Sequence, residues 1–172
     1  MIVKSFELSK INLKNNQFFL LYGENQGLKE EVIKKKFKSF YLDSTYTYEE
    51  SEIINNKGEF YNNILSKSFF ENEKLIIITR GTDKIIKIVE EIIEKNINDL
   101  ILVINSNSLE KKSKLRSFFE KDKRTLCIPF YEDNNQTLSN IAASFFKQLK
   151  IPISQQLLNL IIERCRGDRQ NL

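Results

Sequence analysis

One stretch of the chain carries residue types at a spacing suited to holding phosphate. Gly23-Glu24-Asn25-Gln26-Gly27-Leu28-Lys29-Glu30 follows a run of apolar and aromatic residues, Phe18 to Tyr22. It leads into a segment with apolar residues at 28, 32, 33 and 37. The run reads as a buried strand, the glycine-bearing piece as a tight loop, and the last segment as an amphipathic helix. Strand, glycine loop and helix form the frame of a phosphate-binding loop, in which backbone N–H groups and a lysine cradle the anion. The complete pattern is Gly, four residues, Gly, Lys, then Ser or Thr. Counted from Gly23, Leu28 stands where the second glycine belongs and Glu30 where the Mg-binding hydroxyl belongs; only Lys29 fits. A carboxylate beside a triphosphate repels it. Gly23, Gly27 and Lys29 therefore mark a degenerate nucleotide loop, with the frame retained and the chemistry lost.

The remaining reactive groups add little. An active site of this type takes a metal-binding acid from a neighbouring strand. Here Leu75 to Thr79 runs into Arg80-Gly81 with no carboxylate. The chain has no histidine, which excludes histidine triads and histidine-bearing metal sites. Cys127 and Cys165 lack a Cys-x-x-Cys partner and read as free thiols in a reducing compartment. Cys127 belongs to an apolar strand. Cys165 lies between Arg164 and Arg166, which would lower its pKa. Glu30-Glu31 and Glu90-Glu91 read as solvated helix faces. No cofactor and no metal is expected. Lys111, Lys112, Lys114, Arg116, Lys121, Lys123 and Arg124 crowd one segment. They read either as a solvated helix face or as a weak, sequence-independent contact to the phosphate backbone of DNA, with Phe118 and Phe119 in the core. A net charge of +4 permits an anionic partner without demanding one.

The elements that must position these residues follow from periodicity. After a short amphipathic piece (Phe6, Leu8, Ile11, Leu13) and the loop–helix unit, a second strand, continuous or broken, is expected over 39–48. A helical stretch is expected over 50–68, and a buried strand over 74–79. Thr82 caps a helix reaching Lys95, with Ile85, Ile88, Val89, Ile92 and Ile93 inward. A strand over 99–104, a basic helix over 111–121 and a strand over 125–130 complete the series. Strands apolar on both faces, alternating with helices, predict a three-layer α/β domain with a parallel sheet, covering 1–134. From 135 the pattern is helical. Leu138, Ile141, Ala142, Phe145, Phe146 and Leu149 form one stripe. A second helix is capped by Ser154 and stopped by Gly167, and Asp168 opens a third. Residues 135–172 thus read as the start of a small helical domain that ends one turn into its third helix. No leader and no membrane span of ~20 apolar residues is visible, so a cytoplasmic location is expected.

Leu20-Leu21-Tyr22-Gly23-Glu24, Ser68-Phe69-Phe70-Glu71-Asn72-Glu73-Lys74-Leu75, Lys112-Ser113-Lys114-Leu115 and Gly167-Asp168 occur in this order. In order and spacing they resemble the delta subunit of the bacterial DNA polymerase III clamp loader. The resemblance spans the family's first domain, of the AAA+/RecA-like P-loop type, and most of its helical lid domain. The family's collar domain has no counterpart in the sequence. The resemblance implies a subunit that binds the sliding clamp and holds its ring open while sister subunits hydrolyse ATP. Partners would be the clamp, the other loader subunits (through the collar) and, weakly, primer-template DNA. It also implies that Phe69 and Phe70, where the family places a protruding Leu-Phe pair, enter an apolar pocket on the clamp. Ser68 and Leu65 flank them; Leu65 stands where such clamp-binding peptides often carry Gln. The family's phosphate-sensing lid arginine would fall at Gln170, beside Arg169. The rival readings are an active P-loop ATPase or nucleotide-binding switch and, lacking its glycine turn, a Rossmann-like enzyme.

Overall fold

The structure is a computed structural model that describes residues 1–41, 44–65, 73–95, 97 and 99–172. Its centre is a sheet of five parallel strands: β1 (Phe18–Tyr22), β2 (Thr45–Glu49), β3 (Lys74–Thr79), β4 (Leu100–Asn105) and β5 (Thr125–Pro129), in the spatial order β2-β3-β4-β1-β5. Successive side chains of a strand point to opposite faces, and here both faces are buried. Phe18, Leu20, Tyr22, Ile76, Ile78, Leu102 and Ile104 face one core. Phe19, Leu21, Leu75, Ile77, Ile101 and Val103 face the other. That is why β1, β3, β4 and β5 read as near-unbroken apolar runs, whereas β2, at the sheet edge, is only partly buried.

Helices cover each face. The first core is closed by α2 (Glu50–Asn55), α3 (Lys57–Leu65), α4 (Ile86–Glu94) and α5 (Lys114–Lys121), through Ile53, Phe60, Ile64, Ile88, Val89, Ile92, Leu115 and Phe119. The second is closed by α1 (Gln26–Val32), its π-helical continuation Ile33–Lys38, and short 3-10 turns near the N-terminus, through Val3, Leu8, Leu13, Ile33 and Phe37. The three-layer α/β fold is therefore present. The outer edge of β5 is occupied by the first residues: the Val3 N–H donates to the Cys127 carbonyl (3.0 Å) and the Cys127 N–H to the Met1 carbonyl (2.9 Å). This pairing removes a free sheet edge. Two helices follow, α6 (Asn135–Gln148) and α7 (Gln155–Cys165), capped by the side chains of Asn134 and Ser154. Among the described residues no helix is long and apolar enough to cross a membrane.

Several local expectations are corrected. The second strand begins at Thr45, because residues 39–41 turn back on the preceding helix, with the Tyr41 N–H on the Lys38 carbonyl. The helical stretch after it breaks at Asn56 (φ −128°, ψ 53°), where Asn56 and Gly58 are poor helix formers. The basic helix starts at Lys114, not Lys111. Its start is fixed from a distance: Asp83 accepts from the Ser113 hydroxyl (2.6 Å) and from the Lys114 and Leu115 N–H groups (3.0 Å each). On α6 only Leu138 and Ala142 of the expected stripe are buried; Phe145 and Leu149 are about half exposed, since α7 alone cannot cover so broad a stripe.

Gly23 has φ +123°, and a Cβ there would stand 2.2 Å from the Phe130 carbonyl oxygen. Gly23→Ala combines left-handed strain with a backbone clash. We expect it to lower the unfolding free energy by about 3 kcal/mol or more in urea titrations.

Candidate functional site

The carboxyl ends of β1, β4 and β5 meet at the loop that the sequence singles out. The Phe130 N–H donates to the Tyr22 carbonyl (2.8 Å), and the Ser106 N–H to that of Leu21 (2.8 Å). Within the loop, the Gly23 N–H is taken by the Asn107 carbonyl (3.2 Å) and the Asn25 N–H by the Phe130 carbonyl (3.3 Å). The Gln26 N–H turns to the Glu24 carbonyl and the Lys29 N–H to that of Asn25. Asn25 caps α1 by accepting from the Leu28 N–H (3.0 Å), and its amide donates to the Tyr131 carbonyl and to Asp133. These amides face protein acceptors in a loop whose usual work is to offer them to an anion.

Lys29 is buried, with 1% of its surface exposed. Its ammonium donates to the Gly23 carbonyl (2.8 Å) and the Ser106 carbonyl (2.6 Å). Burial pushes its pKa down from the ordinary lysine value. Gly27 lies against the C-terminal turn: a Cβ there would stand 2.7 Å from Cγ of Arg169 and 2.9 Å from Cγ of Gln170.

That turn, Arg169–Asn171, closes over α1. Arg169 forks onto Asp133, with Nε to Oδ2 at 2.6 Å and the second guanidinium nitrogen to Oδ1 at 2.7 Å; its remaining nitrogen reaches Glu31 at 2.9 Å. The Arg169 and Asp133 side chains are 12% and 5% exposed, so the pair is largely out of water. The Arg169 hydrogen bonds hold the Asp133 carboxyl below the usual carboxylate range, and the Asn25 amide adds to this. Lys35, then Arg169, does the same for Glu31. Gln170, at the expected phosphate-sensing position, donates to Glu30 (2.7 Å). Glu31 is thus no merely solvated carboxylate. Asp133 and Arg169 were invisible as a pair in the sequence, being 36 residues apart.

At the other exits the chemistry is also occupied. Glu50, buried at the start of α2, accepts from the Thr82 N–H and hydroxyl just beyond β3. Spacing along β3 did not reveal this carboxylate, because it comes from the neighbouring strand's exit. Asn105 Oδ1 and Ser106 Oγ, at the end of β4, are buried without a hydrogen-bond partner among the described residues. The described residues contain no cluster of three or more acids or thiols suited to a metal. Cys127 is core, its thiol pushed up to about 12 by burial. Cys165 is buried too, and its pKa is raised, not lowered: desolvation and Asp168 act on it, and no arginine does.

The basic segment divides. Lys111, Lys112 and Lys114 are exposed and, with Ser117, Phe118 and Lys121, border an open groove of about 650 Å³. Arg116 points elsewhere. It binds Glu120 (2.8 Å) and the Leu109 carbonyl (3.1 Å) and lies over the Tyr22 ring at 5.0 Å. Leu65, the last residue of α3, is 48% exposed. Ser68, Phe69 and Phe70 lie outside the described residues.

No protein-family model and no curated protein matches the sequence. Solved structures do. The chain is similar to the DNA clamp loader delta protein of Bacillus subtilis, with a TM-score of 0.63 and 14% identity over 97% of this chain and 54% of that one. It is similar to a variant of RuvB from Thermotoga maritima, with a TM-score of 0.60 and 16% identity over 97% of this chain and 56% of the other. Domain III of the Thermotoga maritima replication initiation protein DnaA aligns with a TM-score of 0.46 and 14% identity, over 96% of this chain and 75% of that one. The chain spans about half the length of the first two. At these identities the likeness shows a shared fold, a three-layer α/β domain built on a parallel sheet.

Two outcomes follow for stability. Lys29→Met keeps the apolar stem but leaves the Gly23 and Ser106 carbonyls without their donor; unfolding in urea is expected to show a loss of about 2–3 kcal/mol. Asp133 and Glu31 have pKa values depressed by folding, so their contribution is complete above their ordinary values of 3.8 and 4.5 and is lost as pH falls through the folded values. Stability should decline with acid below about pH 4.5, and Asp133→Asn should flatten that decline while lowering stability at pH 7.

Proposed function

We propose that this chain is the ATPase-like part of a clamp-loader delta-type subunit, which binds a sliding clamp and holds its ring open without hydrolysing ATP. One observation carries the second half of this reading: the Lys29 ammonium is held by the carbonyls of Gly23 and Ser106. To bind a triphosphate, Lys29 would have to abandon both carbonyls. The loop amides would have to abandon theirs, and Arg169 would have to leave Asp133. Glu30 would then stand beside the phosphates. An active ATPase or nucleotide switch requires all of these changes together. Support for the first half comes from the clamp-loader-like fold and from the sequence reading that assigns Phe69 and Phe70 to the clamp, flanked by Ser68 and the half-exposed Leu65.

Ring opening on this scheme needs no hydrolysis by the subunit itself. Tighter binding to a distorted clamp interface than to the closed one shifts the population toward the open ring. A buried aromatic removes roughly 150–250 Å² from water, so two adjacent anchors suffice for a hot spot. The other proposed partners are the sister loader subunits and, through Lys111, Lys112 and Lys114, the phosphates of primer-template DNA. Arg116 is already engaged within the fold. The setting is cytoplasmic.

The test is clamp binding and nucleotide binding measured on the same preparation. We expect micromolar or tighter affinity for a bacterial sliding clamp and no heat on titration with ATP and Mg²⁺. Phe69→Ala with Phe70→Ala should weaken clamp binding by about 100-fold or more, roughly 2.7 kcal/mol, with unchanged melting. Equal affinity of parent and double variant would refute the clamp assignment. A saturable ATP signal would favour the nucleotide switch, and collapse of the melting transition would place the two aromatics in the core.

A further inference from the structure

Among the described residues the buried apolar side chains fall into three clusters. The third consists of Leu138, Ala142, Leu158, Ile162 and Cys165, with Ile153, Ile161 and Leu172 packed on it. All of these belong to α6, α7 or the segments beside them, and none to the sheet or the helices that cover it. Apolar burial therefore fixes α6 against α7 but does not fix the pair against the α/β body. Among the described residues, the side-chain contacts that cross are polar, with the stems of two of the same side chains packed on α1. Asp133 lies just before α6 and Arg169 just after α7, so their forked ion pair closes the base of the helical hairpin. The same guanidinium reaches Glu31 on α1, Gln170 reaches Glu30, and Asn25 holds Asp133 from the nucleotide loop. The stems of Arg169 and Gln170 lie on Gly27, where there is room for no side chain.

We propose that this arrangement is an ionic clip that alone sets the orientation of the α6–α7 pair on the α/β body, so that cutting it undocks the pair while both units stay folded. The chemistry suits a clip. A planar guanidinium engages one carboxylate through two parallel hydrogen bonds, which fixes angle as well as distance. The charges facing Arg169 are Glu31 and, behind it, Lys35 on α1, with Asp133 on the connection to α6. Glu30 stands one residue away on α1 and Asp168 on the C-terminal turn. The connection itself exposes Tyr131, Glu132 and Asn134, and so offers little apolar resistance to rotation. Units joined by a small, polar interface move relative to one another by default, so losing these contacts frees the orientation of the pair.

Spin labels at two exposed positions, Glu59→Cys on α3 and Ser144→Cys on α6, report the separation of the two units in the whole chain; Cys127 and Cys165 are buried and label poorly. The parent should give one narrow distance. Arg169→Leu keeps the stem and removes the charge. Gly27→Leu displaces the same stem while every charge remains. Both are expected to lose the narrow distance in favour of a broad distribution, and to raise chymotryptic cleavage after Tyr131 by about tenfold or more. The main melting transition of the α/β body should remain. Retention of the parent distance in both variants overturns the proposal, as does a broad distribution in the parent. If Arg169→Leu fails to fold, the Gly27→Leu distance decides alone.

Discussion

A lysine ammonium out of contact with water must be hydrogen-bonded, because leaving such a charge unpaired in the interior costs several kcal/mol. Lys29 meets that requirement with two backbone carbonyls, one at the exit of β1 and one just beyond β4. Carbonyls at these positions converge only if the two strands are adjacent and in register and the glycine turn keeps its left-handed geometry. The Leu21–Asn105 register and the Gly23 φ of +123° supply both conditions. The turn in turn seats against Phe130 beyond β5. One buried cation thus ties the ends of the three strands on which the loop stands.

The same principle extends outward from Lys29. A phosphate loop without phosphate has amides, a lysine and, from the helical segment, an arginine, all of them donors. Each needs an acceptor. Carbonyls of the neighbouring strand exits serve the amides and the lysine, and the carboxylates of Asp133 and Glu31 serve the arginine. Glu30, which looks like a defect when read against an intact motif, accepts from Gln26 and Gln170 and helps hold the C-terminal turn. Charge that an incoming nucleotide would bring from outside is present inside the chain.

How much of this was legible depended on the range of the interaction. Four of the five strands were, since burial on both faces writes near-continuous apolar runs; β2, partly exposed at the sheet edge, was misplaced at its start. Legible too were the caps at Thr82 and Ser154, which act within three residues of themselves. The glycine loop and the place of Lys29 were readable from spacing alone. The partners of Lys29 were not: both are backbone carbonyls, and the Ser106 carbonyl lies 77 residues on, beyond anything periodicity encodes. Asp83 sets the start of α5 from a loop some 30 residues upstream, so the segment's lysines misplaced the boundary. Cys165 misled for a related reason: charge in sequence neighbours says nothing about which way their side chains point.

The clip and the sealed loop are physically one network, because Asn25 belongs to both. Its oxygen caps α1 at the loop, and its amide holds the carboxylate that receives Arg169. Movement at the helical hairpin is therefore felt at the first turn of α1, and any displacement of Lys29 is felt at Asp133. In a site that exchanges nucleotide, such coupling would respond to the ligand. Here both ends of the coupling are groups of the chain itself, so a change in the contacts of α6 and α7 reaches the loop through Asp133 and Asn25. Those helices carry Phe145, Leu149, Leu157 and Leu160 about half exposed. On the proposed clip, a force applied at that apolar face reaches the α/β body through polar groups, and the forked pair between Arg169 and Asp133 is the most directional of them.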